Sequence, residues 1–213
     1  MKRLTSSVLA FTTLTLGPLQ PAAQKPVPLF DGRTFTGWEG ETKTTWRIQD
    51  GAIVGGSLST PVPRNEFLTT TRSFGDFVLR AKFKLVGTEG FINGGVQIRS
   101  QRVKEPPNEM SGYQADIGDK YWGSLYDESR RNKTLVAPPA ELIQQILKPG
   151  DWNDYEIRAE GPRIRLSING RQTVDYMEAD AKIPRDGLIG LQIHGGGKAE
   201  AWYKDITIEV PGR

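Results

Sequence analysis

The chain has 213 residues with 28 basic and 25 acidic side chains, one His, 24 Gly, 14 Pro and no Cys, for a formal charge of +3. At 37% hydrophobic and 25% charged it has a globular balance, and its length suits one domain. Without cysteine there is no disulfide framework, thiolate nucleophile, thiolate zinc site or lipoprotein anchor.

Lys2 and Arg3 precede a modest apolar stretch from Val8 to Leu16, followed by Pro21-Ala22-Ala23, which is the pattern of a secretory leader. The expectation is a signal peptide over residues 1–23, a single domain over 24–213, and a secreted or periplasmic location. The stretch is too short, and too rich in Thr, to span a bilayer. Taking Lys2 and Arg3 from the 28 basic residues leaves 26 against 25 acidic, so the basic excess nearly vanishes. Arg130, Arg131 and Lys133 then read as a solvated loop, with no stripe or aromatic platform for nucleic acid.

From Trp46 onward, short alternating runs are separated by Gly, Pro, Asn and Asp, as in an all-β sandwich of antiparallel sheets. Over Asp76 to Val86, Phe77, Leu79, Ala81, Phe83 and Leu85 share one face, and Arg80, Lys82 and Lys84 the other. The irregular stretch from Arg102 to Asn132, with Pro106-Pro107, several Gly and scattered aromatics, is less readable, and long loops on sandwiches often carry function. Pro138-Pro139 opens a short helix carrying Leu142, Ile143, Ile146 and Leu147, and Pro149-Gly150 closes it. Trp152 to Glu160 alternates Tyr155, Ile157 and Ala159 inward. Arg163 to Met177 spells a hairpin turning at Asn169-Gly170. The last strand places Ile206, Ile208 and Val210 inward.

The face opposite the core carries amides and single ionisable groups instead of the usual Lys/Glu mixture. Period-2 geometry sets Asn93, Gln97 and Arg99 opposite Val96 and Ile98, Gln114 and Asp116 opposite Tyr113, Ala115 and Ile117, and Gln192 and His194 opposite Ile189, Leu191 and Ile193. If these strands are neighbours, their polar sides form a concave surface suited to sugar hydroxyls. Trp122, Tyr121 and Tyr126 could stack on a pyranose face. His194, the one histidine, precedes Gly195-Gly196-Gly197 and can serve as acid or base at neutral pH. Those glycines are no phosphate loop, and Asn132-Lys133-Thr134 meets the glycosylation pattern only where a host has the machinery. Asp116, Asp119, Asp127 and Glu128 supply carboxylates, but no pair at glycosidase spacing is evident; Asp127 and Glu128 would face opposite sides of a strand.

In order along the chain, Leu29-Phe30-Asp31-Gly32, Gly37-Trp38, Phe74-Gly75-Asp76-Phe77, Asn93-Gly94-Gly95-Val96-Gln97-Ile98-Arg99, Gly112-Tyr113-Gln114-Ala115-Asp116, Gly150-Asp151-Trp152-Asn153 and Gly190-Leu191-Gln192-Ile193-His194-Gly195 resemble the 3-keto-disaccharide hydrolase-like (DUF1080) family. Gly94 and Gln114 replace that family's commoner Ser and Glu. The resemblance implies a concanavalin A-like jelly roll, one short helix included, and a glycoside substrate already oxidised at C3. A 3-keto group acidifies the C2 proton, so a base can remove it and expel the C1 substituent, after which water adds. His194 or Asp116 would be the base, Arg99 and Gln114 would polarise or position, and Glu128 or Tyr126 would protonate the leaving group. Asn93, Gln97, Gln192 and Trp122 complete the expected substrate contacts. A divalent metal on His194 with carboxylate or amide oxygens is a further expectation, though one histidine makes a sparse site. The competing classes are a non-catalytic, lectin-like carbohydrate-binding module and a structural surface protein docking through Tyr121-Trp122.

Overall fold

The computed structural model describes residues 25–211, so the expected leader lies outside the described residues. In chain order the strands are β1 (Val27–Pro28), β2 (Trp38–Glu39), β3 (Trp46–Gln49), β4 (Ala52–Ser57), β5 (Glu66–Thr70), β6 (Phe77–Gly90), β7 (Asn93–Arg102) and β8 (Met110–Gly118). There follow β9 (Leu125–Glu128), β10 (Lys133–Val136), helix α1 (Ala140–Ile146), β11 (Asn153–Glu160), β12 (Arg163–Ile168), β13 (Arg171–Met177), β14 (Leu188–Ile193) and β15 (Gly197–Glu209).

One sheet runs β13-β12-β11-β6-β15-β4-β3 with β1 added beside β15; the other runs β10-β9-β8-β7-β14-β5-β2, and all pairings are antiparallel. The result is the expected all-β sandwich. Its core forms where the alternating apolar residues of the two sheets meet: Phe77, Leu79, Phe83, Tyr155 and Ile157 from one, Leu68, Val96, Ile98, Ala115 and Leu191 from the other. The β12–β13 hairpin turns at Asn169 and Gly170, both at positive φ (49° and 76°), the geometry that Asn-Gly supplies to a type I′ turn. The one expected inward residue that fails is Val210, which lies past the end of β15 and is exposed.

The two outer faces differ in kind. On the eight-stranded sheet, Arg80 pairs with Glu156 and Glu209, and Lys82 with Asp154, forming a charged lattice. On the seven-stranded sheet the corresponding face carries the amides Asn93, Gln97, Gln114 and Gln192 together with single carboxyls such as Asp116. Two tyrosines of the first sheet reach through the core to the backbone behind those amides. Tyr203 Oη lies 3.2 Å from the Gly95 N, from which it accepts, and 2.8 Å from the Gln192 O, to which it can donate; Tyr155 Oη donates to the Asp116 O at 3.3 Å. Each tyrosine is fully buried, so these bonds anchor the sheet from below where it carries Asp116 and Gln192.

The basic cluster is not a solvated loop. Asp127, itself fully buried, accepts from Arg130 Nε at 2.9 Å and from Arg131, which also holds Glu178 at 2.7 Å. The Arg130 guanidinium lies 4.5 Å from the centre of the Tyr113 ring. A buried carboxylate demands paired cations, and this one takes both arginines; Lys133 alone remains exposed.

Candidate active site

The register of the seven-stranded sheet decides which side chains meet. Gln97 on β7 stands opposite Gln114 on β8, Gly95 opposite Asp116, and on β14 Gln192 stands opposite Gly95. Gly95 leaves the centre of the face without a side chain, and Gln114 lies across it: a Cβ at Gly95 would come within 2.7 Å of Gln114 Cγ. Strand β9 brings Tyr126 opposite Gln114 and Glu128 opposite Gly112. The resulting pocket is lined by Phe91, Asn93, Gln114, Asp116, Tyr121, Tyr126, Glu128 and His194.

Asp116 is the electrostatic centre. It is only 3% exposed, and burial pushes its carboxyl up to about 7, with the Glu128 charge adding to the effect. Opposing this, Oδ1 accepts from Asn93 Nδ2 at 3.2 Å and from Gln114 Nε2 at 3.1 Å. Glu128 is also raised to about 7, first by burial and then by Glu109. The Gln192 amide beside it favours the ionised form, yet neither the N nor the O of that fully buried amide has a partner at normal hydrogen-bond length. Two carboxyls on different strands thus open onto one pocket, both pushed up by burial, an arrangement that the separation of residues 116 and 128 in sequence conceals.

His194 stands at the end of β14, half-buried, its backbone N donating to the Asn93 O at 3.0 Å. Its Nδ1 lies 2.7 Å from the Gly195 O. A carbonyl only accepts, so Nδ1 carries the hydrogen and the neutral ring keeps the lone pair on Nε2. The Gly195 N in turn donates to Asn65 Oδ1 at 3.1 Å, which fixes the turn that holds the imidazole. The Phe91 ring packs edge-on against His194 at 4.6 Å between centroids. Asn65 and Phe91 both escape sequence reasoning, since neither belongs to the alternating runs that define the face.

Of the residues expected here, His194, Asp116, Glu128, Asn93, Gln114, Tyr126 and Tyr121 line the pocket. Gln97 and Gln192 lie on the same face but are fully buried and do not line it. Trp122 departs from the expectation: its ring packs against Phe83 at 6.3 Å and lines a separate cleft with Pro138 and Ile143 of the helical segment. Among the described residues no group of three or more His, Cys, Asp and Glu side chains is arranged to hold a metal ion.

Arg99 departs as well. The β7 ladder is irregular between Ile98 and Gln101, and Arg99 takes φ 49°, so the alternation breaks and Ser100 takes up the inner hydrogen-bonding position. The Arg99 guanidinium instead donates to the Gly75 O (3.0 Å), the Gly161 O (2.7 Å) and Asp76 Oδ1 (2.8 Å), tying together loops of the opposite sheet. Arg99→Ala is therefore expected to cost about 2–4 kcal/mol of stability by removing the donor to the Gly75 and Gly161 carbonyls and the charge beside Asp76, whose Oδ1 keeps only the Gly161 N–H. Urea denaturation measures that loss, and activity per folded molecule should be retained; a stable but inactive variant would return Arg99 to the site.

The family model described as the 3-keto-alpha-glucoside-1,2-lyase-like domain matches residues 25–209. A 3-keto-disaccharide hydrolase of Bacteroides thetaiotaomicron is 22% identical, the match covering 86% of this chain and 78% of that protein. A candidate glycosyl hydrolase from Parabacteroides distasonis superposes with a TM-score of 0.60 at 20% identity, covering 86% of this chain and 93% of the other. The carbohydrate-binding module CBM66 of Bacillus subtilis does so with a TM-score of 0.60 at 17% identity, covering 81% and 95%. At such identities the solved structures speak for the fold, whereas the family model spans nearly all of the described chain. The chain belongs to the 3-keto-alpha-glucoside-1,2-lyase-like family.

Proposed function

We propose that the pocket cleaves glycosides oxidised at C3, by elimination across C1–C2 followed by hydration. One observation carries the reading: a histidine whose Nδ1 is tied to the Gly195 carbonyl, leaving Nε2 without a partner among the described residues, lines the same small pocket as two carboxyls raised by burial to about 7. His194 Nε2 takes the C2 proton, which the adjacent ketone acidifies. The electron pair left on C2 forms the C1=C2 bond as the C1–O bond breaks. The departing oxygen receives a proton from Asp116 or Glu128, the two carboxyls that burial raises to about 7. Water then adds across the double bond, oxygen to C1 and hydrogen to C2, and releases the free 3-keto sugar.

This chemistry differs from that of a paired-carboxylate glycosidase, because the histidine acts on carbon and the acid pair serves the leaving group alone. The leader expected over residues 1–23 would place it in the periplasm or outside the cell, and the N-terminal residue of the exported chain would report whether the leader is removed. The test of function is to incubate the purified protein with 3-keto-trehalose or 3-keto-sucrose and follow release of free sugar. Binding without release would make the chain a lectin-like module, and neither binding nor release would leave a structural surface protein.

A further inference from the structure

Ser100, Gln97 and Gln114 form a line of hydrogen bonds that ends on Asp116. Ser100 Oγ donates to Gln97 Oε1 at 2.6 Å, Gln97 Nε2 to Gln114 Oε1 at 2.9 Å, and Gln114 Nε2 to Asp116 Oδ1 at 3.1 Å. The direction follows from one end. An ionised carboxylate only accepts, so Gln114 must turn its Nε2 to Asp116 and its Oε1 to Gln97. Gln97 must then offer Nε2, which leaves its Oε1 to take the Ser100 hydroxyl. That hydroxyl has a second acceptor in the Ile98 O at 2.9 Å, but the contact to Gln97 is the shorter. Ser100, Gln97 and Gln114 are all at most 2% exposed, so their dipoles act on one another with little screening by water.

The two oxygens of Asp116 are consequently unequal. Oδ1 takes both amide donors, from Asn93 and Gln114. Oδ2 has no hydrogen-bond partner among the described residues, and Asp116 lines the pocket.

We propose that Gln97 and Ser100, neither of which lines the pocket, are positioning residues: their hydrogen-bond relay holds Oδ1 of Asp116 as an acceptor and leaves Oδ2 as the oxygen that gains and loses the proton. The proposal rests on the reading of Asp116 as part of the acid pair. The groups facing Asp116 are Tyr126 and Glu128 from β9, Tyr121 from the loop before it, Asn93 from β7, His194 from β14, and Tyr155 and Tyr203 from the opposite sheet. No lysine or arginine is among them. The amide donors are therefore what opposes burial at this carboxyl, and the relay keeps one of them correctly turned.

The test is a carbon NMR titration of the Asp116 carboxyl in the full chain. Gln97→Met removes the donor to Gln114 without adding charge, and the Asp116 midpoint should rise by about one pH unit. Ser100→Ala, a smaller change, should raise it by about half as much. The alkaline limb of the pH–rate profile should move up with the midpoint, which a merely structural role would not produce. A midpoint unmoved in both folded variants overturns the relay. The two readings fail separately: a parent protein that cleaves no 3-keto glycoside defeats the proposed function, while the titration still judges the relay.

Discussion

At pH 8, Asp116→Asn is expected to be more stable than the parent protein while losing most of its activity. The sign follows from linkage. Burial holds the folded Asp116 carboxyl near 7, above the ordinary value of 3.8, so between those two pH values the folded state binds more protons than the unfolded state. Stability contributed at this site is therefore greatest below about 4, falls as pH rises towards 7, and is flat beyond. At 1.36 kcal/mol per pKa unit the deficit above pH 7 is on the order of 4 kcal/mol. Asn carries no charge at any pH and keeps an oxygen to accept from Asn93 and Gln114. Urea denaturation of the two proteins at pH 4.5 and pH 8 should show the variant ahead at pH 8 by a few kcal/mol and most of that advantage gone at pH 4.5. Turnover of a 3-keto glycoside should fall by about 10²–10⁴. A variant no more stable at pH 8 would mean that the carboxyl is not held against its preference, and its place in the acid pair would go with it.

The second large effect belongs to His194. Its side chain is half-buried, and its contacts are the Gly195 carbonyl and the Phe91 ring, so His194→Ala removes little of the core. Melting should change only slightly, whereas kcat for a 3-keto disaccharide should drop by about 10²–10⁴, the usual contribution of a positioned base. Binding of the substrate, measured calorimetrically with the inactive protein, should persist because Asn93, Gln114, Tyr126 and Tyr121 remain. Loss of binding in step with activity would instead make His194 a substrate contact.

Much of the fold is legible because its signals are local. Period-2 alternation marks β6, β11 and β12, and Asn169-Gly170 marks the hairpin, since each depends on neighbours within a few residues. The site is legible in part for the same reason: Gln114 and Asp116, or Gln192 and His194, share a face by counting in twos. What counting misses is an interruption of the period. One bulge sends Arg99 to the opposite sheet and puts Ser100 in its place, and nothing in the residue types around Ile98 announces it. The direction of the 119–124 loop is equally hidden, because stacking of Trp122 on Phe83 is a tertiary contact. So is the opening of Asp116 and Glu128 onto one pocket, since they stand on neighbouring strands and their shared lining is a tertiary arrangement.

Proton removal at C2 of a 3-keto sugar is the step that separates elimination from direct hydrolysis. The direct measurement is to incubate the protein with 3-keto-trehalose in deuterium oxide, in parallel with trehalose itself, and to analyse the released keto sugar by mass spectrometry, with free 3-keto-glucose as the control for spontaneous exchange. Elimination and hydration predict rapid release from the keto substrate, one deuterium at C2 beyond the control, and no cleavage of trehalose. Release without deuterium at C2, or trehalose cleaved as fast as its 3-keto form, would contradict elimination.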